Sequence, residues 1–245
     1  MARRRPPAAA HSLACALVCL VPLLLPARPA AAQVKVEKKP PDVEHKTFDP
    51  KSPPKDMPEL GHGEVALCVS GFSCDTKVQV AESLIPLANG KTRVVFTVKS
   101  VTPVVGLKVV IWLPEGATDK VKAHEEGHRQ IAERAYQGAE AAAKQAAAKL
   151  VGRRVIAEER VPDDAEKAAG EQLRALNQQV ADAYLEVVKA PTDRVQELYD
   201  DLTAHGTKET PDEATAIRLA FDRQAEEAKA AATKPTTKPA GRPGK

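Results

Sequence analysis

Aromatic side chains are scarce, at 3% of 245 residues, with one tryptophan, three tyrosines and four phenylalanines. A core must therefore be built from aliphatic side chains and alanine, and such a thin core predicts modest stability unless a metal or partner adds to it. Cysteine is also sparse: four residues are too few for a disulfide-built scaffold. Neither sign of charge dominates, with 36 basic and 33 acidic groups for a net +3, while 43% of the residues are hydrophobic. That balance excludes a chain disordered throughout, and no glycine triplet period points to a collagen-like rod. The length accommodates one domain or two.

The charge is unevenly placed. Arg3, Arg4 and Arg5 precede an apolar stretch from Ser12 to Leu25, and Ala30, Ala31 and Ala32 stand before Gln33. This is the pattern of a secretory signal peptide, with an apolar run too short for a membrane anchor. Residues 1–32 are thus expected to direct export, leaving a periplasmic or extracellular protein with no stable membrane insertion. Without the four arginines of that segment, 32 basic groups face 33 acidic ones. Residues 33–60 hold six prolines, six lysines and six acids with few large apolar groups, and read as a disordered, solvated linker. Residues 231–245, made of Ala, Thr, Pro and Gly with four basic groups, read as a disordered basic tail. The remaining domain, 61–230, has 22 basic and 27 acidic groups, a poor surface for nucleic acid.

Outside the leader only Cys68 and Cys74 remain, with Gly71 between them. In an oxidising compartment the expectation is a disulfide closing a short loop, worth roughly 2 kcal/mol through the unfolded chain. The competing role, half of a metal site, has only His62 near in sequence to complete it.

Periodicity divides the domain in two. Val65–Val69, Lys77–Ala81, Thr92–Val101 and Leu107–Leu113 are β-like runs, separated by turn signals at Asn89-Gly90, Pro103 and Gly106. After Pro114 the pattern is helical. A first helix capped by Thr118 or Asp119 carries an apolar stripe through Val121, His124, His128, Ile131 and Ala135 to Leu150. A second is expected from about Asp163 to Lys189, ended by Pro191, and a third from Thr192 to His205 with Gly206 as its stop. A last helix starts near Pro211. The fold class expected is α+β: a small N-terminal antiparallel sheet followed by a helical half.

The chemistry stands at His124-Glu125-Glu126-Gly127-His128. Positions i and i+4 of a helix are stacked one turn apart, so two imidazoles can meet one metal ion, with Glu125 placed to take a proton from water. Zinc suits two imidazoles and makes water a nucleophile near neutral pH. Both histidines fall on the apolar stripe, where an unpartnered imidazole is expensive to bury. Gly127 costs about 1 kcal/mol inside a helix, a cost that space needed beside a metal would explain. For a third ligand, Glu158, Glu159, Glu166 and Glu171 fit a solvated face, whereas His205 continues the Val195, Leu198, Leu202 stripe. His205 is the preferred third ligand, with Asp200 one turn earlier to orient a ligand ring.

Two segments together carry a resemblance. The strand Val109–Pro114 followed by the His124–His128 motif, and later Tyr199-Asp200-Asp201-Leu202-Thr203-Ala204-His205-Gly206, resemble a bacterial family of predicted secreted zinc-dependent proteases, a domain-of-unknown-function family. The likeness spans roughly residues 62–206. It implies an exported metallopeptidase with His124, His128 and His205 as zinc ligands and Glu125 as general base. One departure is the alanine-rich stretch Gly138–Lys149, which looks inserted between the motifs.

The sequence therefore points to a secreted zinc metallopeptidase acting on protein or peptide substrates, with Tyr199 as a candidate donor to the oxyanion. The alternative from another class is a non-catalytic cell-envelope protein with a structural or vestigial metal site. An amidase cutting cell-wall peptides would share the metal chemistry and differ only in substrate.

Overall fold

A computed structural model describes residues 33–61, 63–207 and 211–233. The export segment expected at 1–32 and residues 234–245 of the tail expected at 231–245 lie outside the described residues, while 231–233 are helical. Among those described, no helix is long and apolar enough to cross a membrane.

Everything in the sheet is organised on one strand. In chain order the elements are β1 (Gln33–Val34), β2 (Glu37–Lys38), β3 (Asp42–Phe48), β4 (Leu67–Pro86), β5 (Thr92–Pro114), α1 (Asp119–Tyr136), α2 (Ala139–Ala148), β6 (Arg154–Glu159), α3 (Pro162–Thr203) and α4 (Glu213–Thr233). β5 is rich in valine and isoleucine, and Val94, Val101, Val105 and Val109 are fully buried, as expected of a strand with neighbours on both sides. β4 covers one side of it antiparallel. Along the other side run β1, β2 and β3, all parallel to β5, and then β6, antiparallel to residues 92–97.

This overturns the expected small antiparallel sheet at the N-terminus. The sheet is mixed, with three of its five pairings parallel, and it draws strands both from residues 33–48 and from beyond α1. The segment read as a solvated linker is therefore structural: it supplies strands up to Phe48 and hydrogen-bonded turns at Asp49–Ser52 and Pro54–Met57 beyond it. Its own composition hides this, because the apolar surface that holds it belongs to β5. Tyr136 Oη donates to the carbonyls of Lys39, at 2.8 Å, and Val105, at 2.9 Å, tying the link between β2 and β3 to the central strand.

The four β-like runs merge into two long strands. Asn89-Gly90 makes the expected hairpin turn, with Lys91 N–H donating to the Asn89 side chain at 3.1 Å and Gly90 at φ +76°. Pro103 does not interrupt β5, because it falls opposite the gap between β1 and β2. Cys68 and Cys74 sit on the single strand β4, opposite Ile111 and Val105, and both are free thiols. Six residues of strand span roughly 20 Å, far beyond what a disulfide tolerates. The expected disulfide is therefore excluded by the extended backbone.

The helices also depart from expectation in ways that position the site. Thr118 caps α1, its Oγ1 accepting from Val121 N–H at 3.3 Å. The helix stops at Tyr136, however, and the chain restarts after Gly138 as α2. The supposed insertion is core: Ala139, Ala143 and Ala147 are fully buried beneath β5 and α3. Pro191 lies inside α3 and does not divide it. Its missing N–H leaves the Val187 carbonyl without a helical partner on an exposed turn, while Thr192 Oγ1 donates to the Val188 carbonyl at 2.6 Å. α4 is capped by Asp212 and closes an apolar cluster of Ile131, Val195, Leu198, Tyr199, Ile217 and Ala220 behind the site.

Candidate metal centre

α1 and α3 bring three ligand-type side chains to one point. His124 and His128 are one turn apart on the buried face of α1, and Asp200 faces them from the last turn of α3. His124 Nε2 and His128 Nε2 are 3.1 Å apart, and Asp200 Oδ1 lies 3.2 Å from the first and 2.9 Å from the second. Donors at about 2.0–2.1 Å from a tetrahedral ion are roughly 3.3 Å apart, so this triangle is close to one face of such a site. The His124, His128 and Asp200 group could hold a metal ion.

The neighbours of the ring nitrogens decide what those atoms present. Gln196 donates from its amide nitrogen to the His128 carbonyl at 3.0 Å, which turns its Oε1 toward His128 Nδ1 at 2.5 Å. His128 Nδ1 must then carry the hydrogen, and its Nε2 in the neutral ring is a lone pair. Thr203 Oγ1 donates to the Tyr199 carbonyl at 2.8 Å, leaving it an acceptor for His124 Nδ1 at 3.4 Å. His124 Nε2 is accordingly also a lone pair. Asp200 Oδ1 is buried and receives no well-aligned hydrogen bond, despite its short distances to both rings. Three acceptors converging without a donor among them suit a cation, and outer partners of this kind are what hold metal-binding histidines in their tautomer.

Without a metal, protons take that place. Burial pushes the Asp200 carboxyl up, but its contacts with His124 and His128 outweigh this and hold it well below the usual carboxylate range. His128 is pushed down by burial, and the Asp200 contact and charge, with Gln196 and Glu125, more than reverse this and raise it. Glu125, 5% exposed, is pushed up to about 7 by burial, opposed by the charge of His128 and reinforced by Asp200 and Glu64. The signs define a pH prediction. The raised His128 stabilises the metal-free fold at low pH, and that contribution is lost as pH rises through its raised value. Ionising the raised Glu125 destabilises that fold between about 4.5 and about 7. The Glu125 shift corresponds to a loss on the order of 3 kcal/mol. Asp200 offsets neither, since its contribution is lost only in strong acid. Metal-free protein should therefore unfold at lower urea at pH 8 than at pH 5, and stabilisation by zinc should grow over the same interval. Flat urea midpoints across that range would contradict this account of the triad.

His205, the residue preferred as third ligand, is not in the triangle. It lies past the end of α3 in left-handed backbone, φ +51°, is half exposed, and its Nδ1 is 3.7 Å from Asp200 Oδ1. The residue assigned to orient a ligand is instead a donor of the triangle, and the presumed donor stands at its rim. Next to it Gly206 (φ +73°) passes so close to α1 that an added Cβ would stand 2.9 Å from His124 Cβ.

The Tyr199 hydroxyl, expected to reach the oxyanion, is not among the groups that line the cleft. Tyr199 is fully buried, stacks on His124 with ring centroids 5.1 Å apart, and its hydroxyl reaches back toward the His124 carbonyl at 3.4 Å. The space that Gly127 provides is filled by this ring: a Cβ at 127 would be 2.2 Å from Tyr199 Oη and 2.6 Å from Cζ. Gly127→Ala gains about 1 kcal/mol of helix propensity, but overpacking against a ring with no free space costs 1–3 kcal/mol or more. Net destabilisation and weaker metal binding are expected, read from urea unfolding and metal titration. An alanine variant as stable as the wild type would refute this packing role.

The triangle faces an open cleft of about 400 Å3, walled by His124, Glu125 and His128 of α1, by Gln196 and Asp200 of α3, and by residues 64–70 leading into β4. Cys68 lines it as a neutral thiol, pushed up to about 12 chiefly by burial and further by Glu125. Gln196 carries no sequence signal of its own, because Gln196, Asp200 and Thr203, though at helical spacing, stand among the charged neighbours Asp193, Arg194, Glu197 and Asp201. Comparison with protein-family models, curated proteins and solved structures finds no match to this chain, so the likeness to secreted zinc-dependent proteases rests on its two motifs alone.

Proposed function

We propose that the protein is a zinc-dependent hydrolase of peptide bonds, with His124, His128 and Asp200 as ligands and Glu125 as general base. The observation that carries this reading is the joint position of the triangle and Glu125 on one open cleft: His124, His128 and Asp200 would hold the ion, and the cleft would give water and substrate access to it. Zinc, when bound, supplies Lewis acidity toward the scissile carbonyl and toward water. Two imidazoles and one carboxylate are a donor set that zinc accepts readily.

The chain's own residues do the rest. Glu125 is buried beside the triangle with a carboxyl held near neutrality, the range in which a general base both accepts and returns a proton. It takes a proton from the attacking water and passes it to the departing amine. Gln196 and Thr203 fix the two imidazoles by their outer nitrogens, so the lone pairs stay aimed at one point throughout. Tyr199 backs His124 and prevents the ring from tilting away.

Export, through the segment at 1–32, remains part of this proposal. The test is purified protein loaded with one equivalent of zinc and incubated with an unfolded protein substrate. Cleavage that chelation abolishes and zinc restores is the expected result. Stoichiometric zinc with no cleavage of any unfolded protein or cell-wall peptide would favour the structural site.

A further inference from the structure

A second hollow, of about 760 Å3, opens beside the metal cleft and falls in the size range of sites that bind organic groups. One wall is the Pro-rich segment after β3, with Phe48, Met57 and Leu60, and the other is the entry to α1. Leu60 and Val65 are large apolar side chains left 37% and 55% exposed there. The wall is preformed. Prolines fix much of its backbone, Ser52 N–H donates to the Asp49 carbonyl at 2.9 Å, Met57 N–H donates to the Pro54 carbonyl at 3.1 Å, and Lys46 pairs with Asp56 at 3.2 Å. A ligand entering it would order little, which favours binding.

This hollow is continuous with the metal cleft, since Glu64, Val65 and Val121 line both. Val121 stands one turn before Glu125 on α1, so the two side chains share a helix face. The passage between the hollows therefore runs alongside the general base. The hollow's interior offers apolar contacts, and its polar lining is acidic, from Glu59, Glu64 and Glu115. A carboxylate would meet like charge there, while an aliphatic or aromatic side chain would exchange water for apolar surface.

Resting on the peptidase reading, we propose that the hollow walled by residues 48–60 is the substrate's side-chain subsite, taking a large apolar residue such as leucine or phenylalanine next to the scissile bond. Discrimination against glycine or aspartate at that position should be at least tenfold, the range an apolar pocket supplies.

The test pairs cleavage with binding. Zinc-loaded protein is given matched peptides that differ only in leucine, phenylalanine, glycine or aspartate at the cut position, and Leu60→Arg and Met57→Arg are compared with the wild type by kcat/KM. The expected result is a tenfold or greater preference for leucine and phenylalanine that falls to about unity in both variants at unchanged zinc content. No preference in the wild type, or a preference that survives in both variants, overturns the subsite and leaves the peptidase standing. If the wild type cuts none of the peptides, the peptidase reading fails separately. Fluorescence anisotropy with the labelled peptides and Glu125→Gln protein then decides the hollow: tenfold tighter binding of the leucine peptide, lost in the added Leu60→Arg, supports it, and equal affinities overturn it.

Discussion

Glu125→Gln is expected to lower peptide hydrolysis by roughly two to four orders of magnitude, about 3–5 kcal/mol of transition-state stabilisation, without reducing bound zinc. The substitution keeps the shape and the helix but removes the buried carboxylate beside the triangle that would accept a proton from water. It also separates catalysis from folding. Burial pushes the Glu125 carboxyl up to about 7, so at pH 8 the metal-free fold carries a charge it disfavours. The neutral carboxamide removes that penalty, so stability should hold or rise at pH 8 while activity collapses. Parallel measurement of kcat, zinc content and urea midpoint gives the comparison. Equal hydrolysis by the variant and the wild type would remove the peptidase assignment.

Asp200→Ala should weaken zinc binding by more than a hundredfold, whereas His205→Ala should change it by no more than a few-fold. Loss of an outer partner typically costs 10–100-fold in metal affinity, so loss of a direct donor should exceed that. Asp200 Oδ1 is within 3.2 Å of both ring nitrogens, while His205 approaches only the carboxylate, at 3.7 Å. Removing Asp200 also leaves two neutral imidazoles as the remaining donors of the triangle, without their carboxylate. Competition against a chromogenic chelator ranks the two variants directly. The reverse ranking would return the third ligand to His205.

The difference between these two residues shows where sequence reading stopped. The His124–His128 pair was legible because spacing within one helix is fixed by its own geometry. The third ligand was not, since it depends on the phase of α3 relative to α1. A helix broken at Pro191 would leave residues 192–205 free to choose their own face. In the unbroken α3 that phase is inherited from Val180, Tyr184 and Val188, packed on the central strand. It turns Asp200 inward, and the chain has already left the helix before His205. Thr118 and Asn89-Gly90 act through bonds to residues two or three positions away, and their neighbourhoods are simple to anticipate. Residues 33–48 and the two cysteines failed for the opposite reason. The N-terminal strands owe their order to a partner some 66 residues distant, and the cysteines were judged by a turn that β5 pulls straight.

The N-terminal strands also bear on the order in which the protein can mature. Along residues 100–114, β5 is covered on one side by β4 and on the other only by residues 33–48. Residues 33–48 can therefore find their place only after more than sixty further residues have emerged. Until it docks, the core strand presents an apolar row of free N–H and C=O groups that any other extended chain could match. Loss of β1 and β2 would leave part of that row uncovered, so these two short strands guard the protein against self-association as much as they complete the fold.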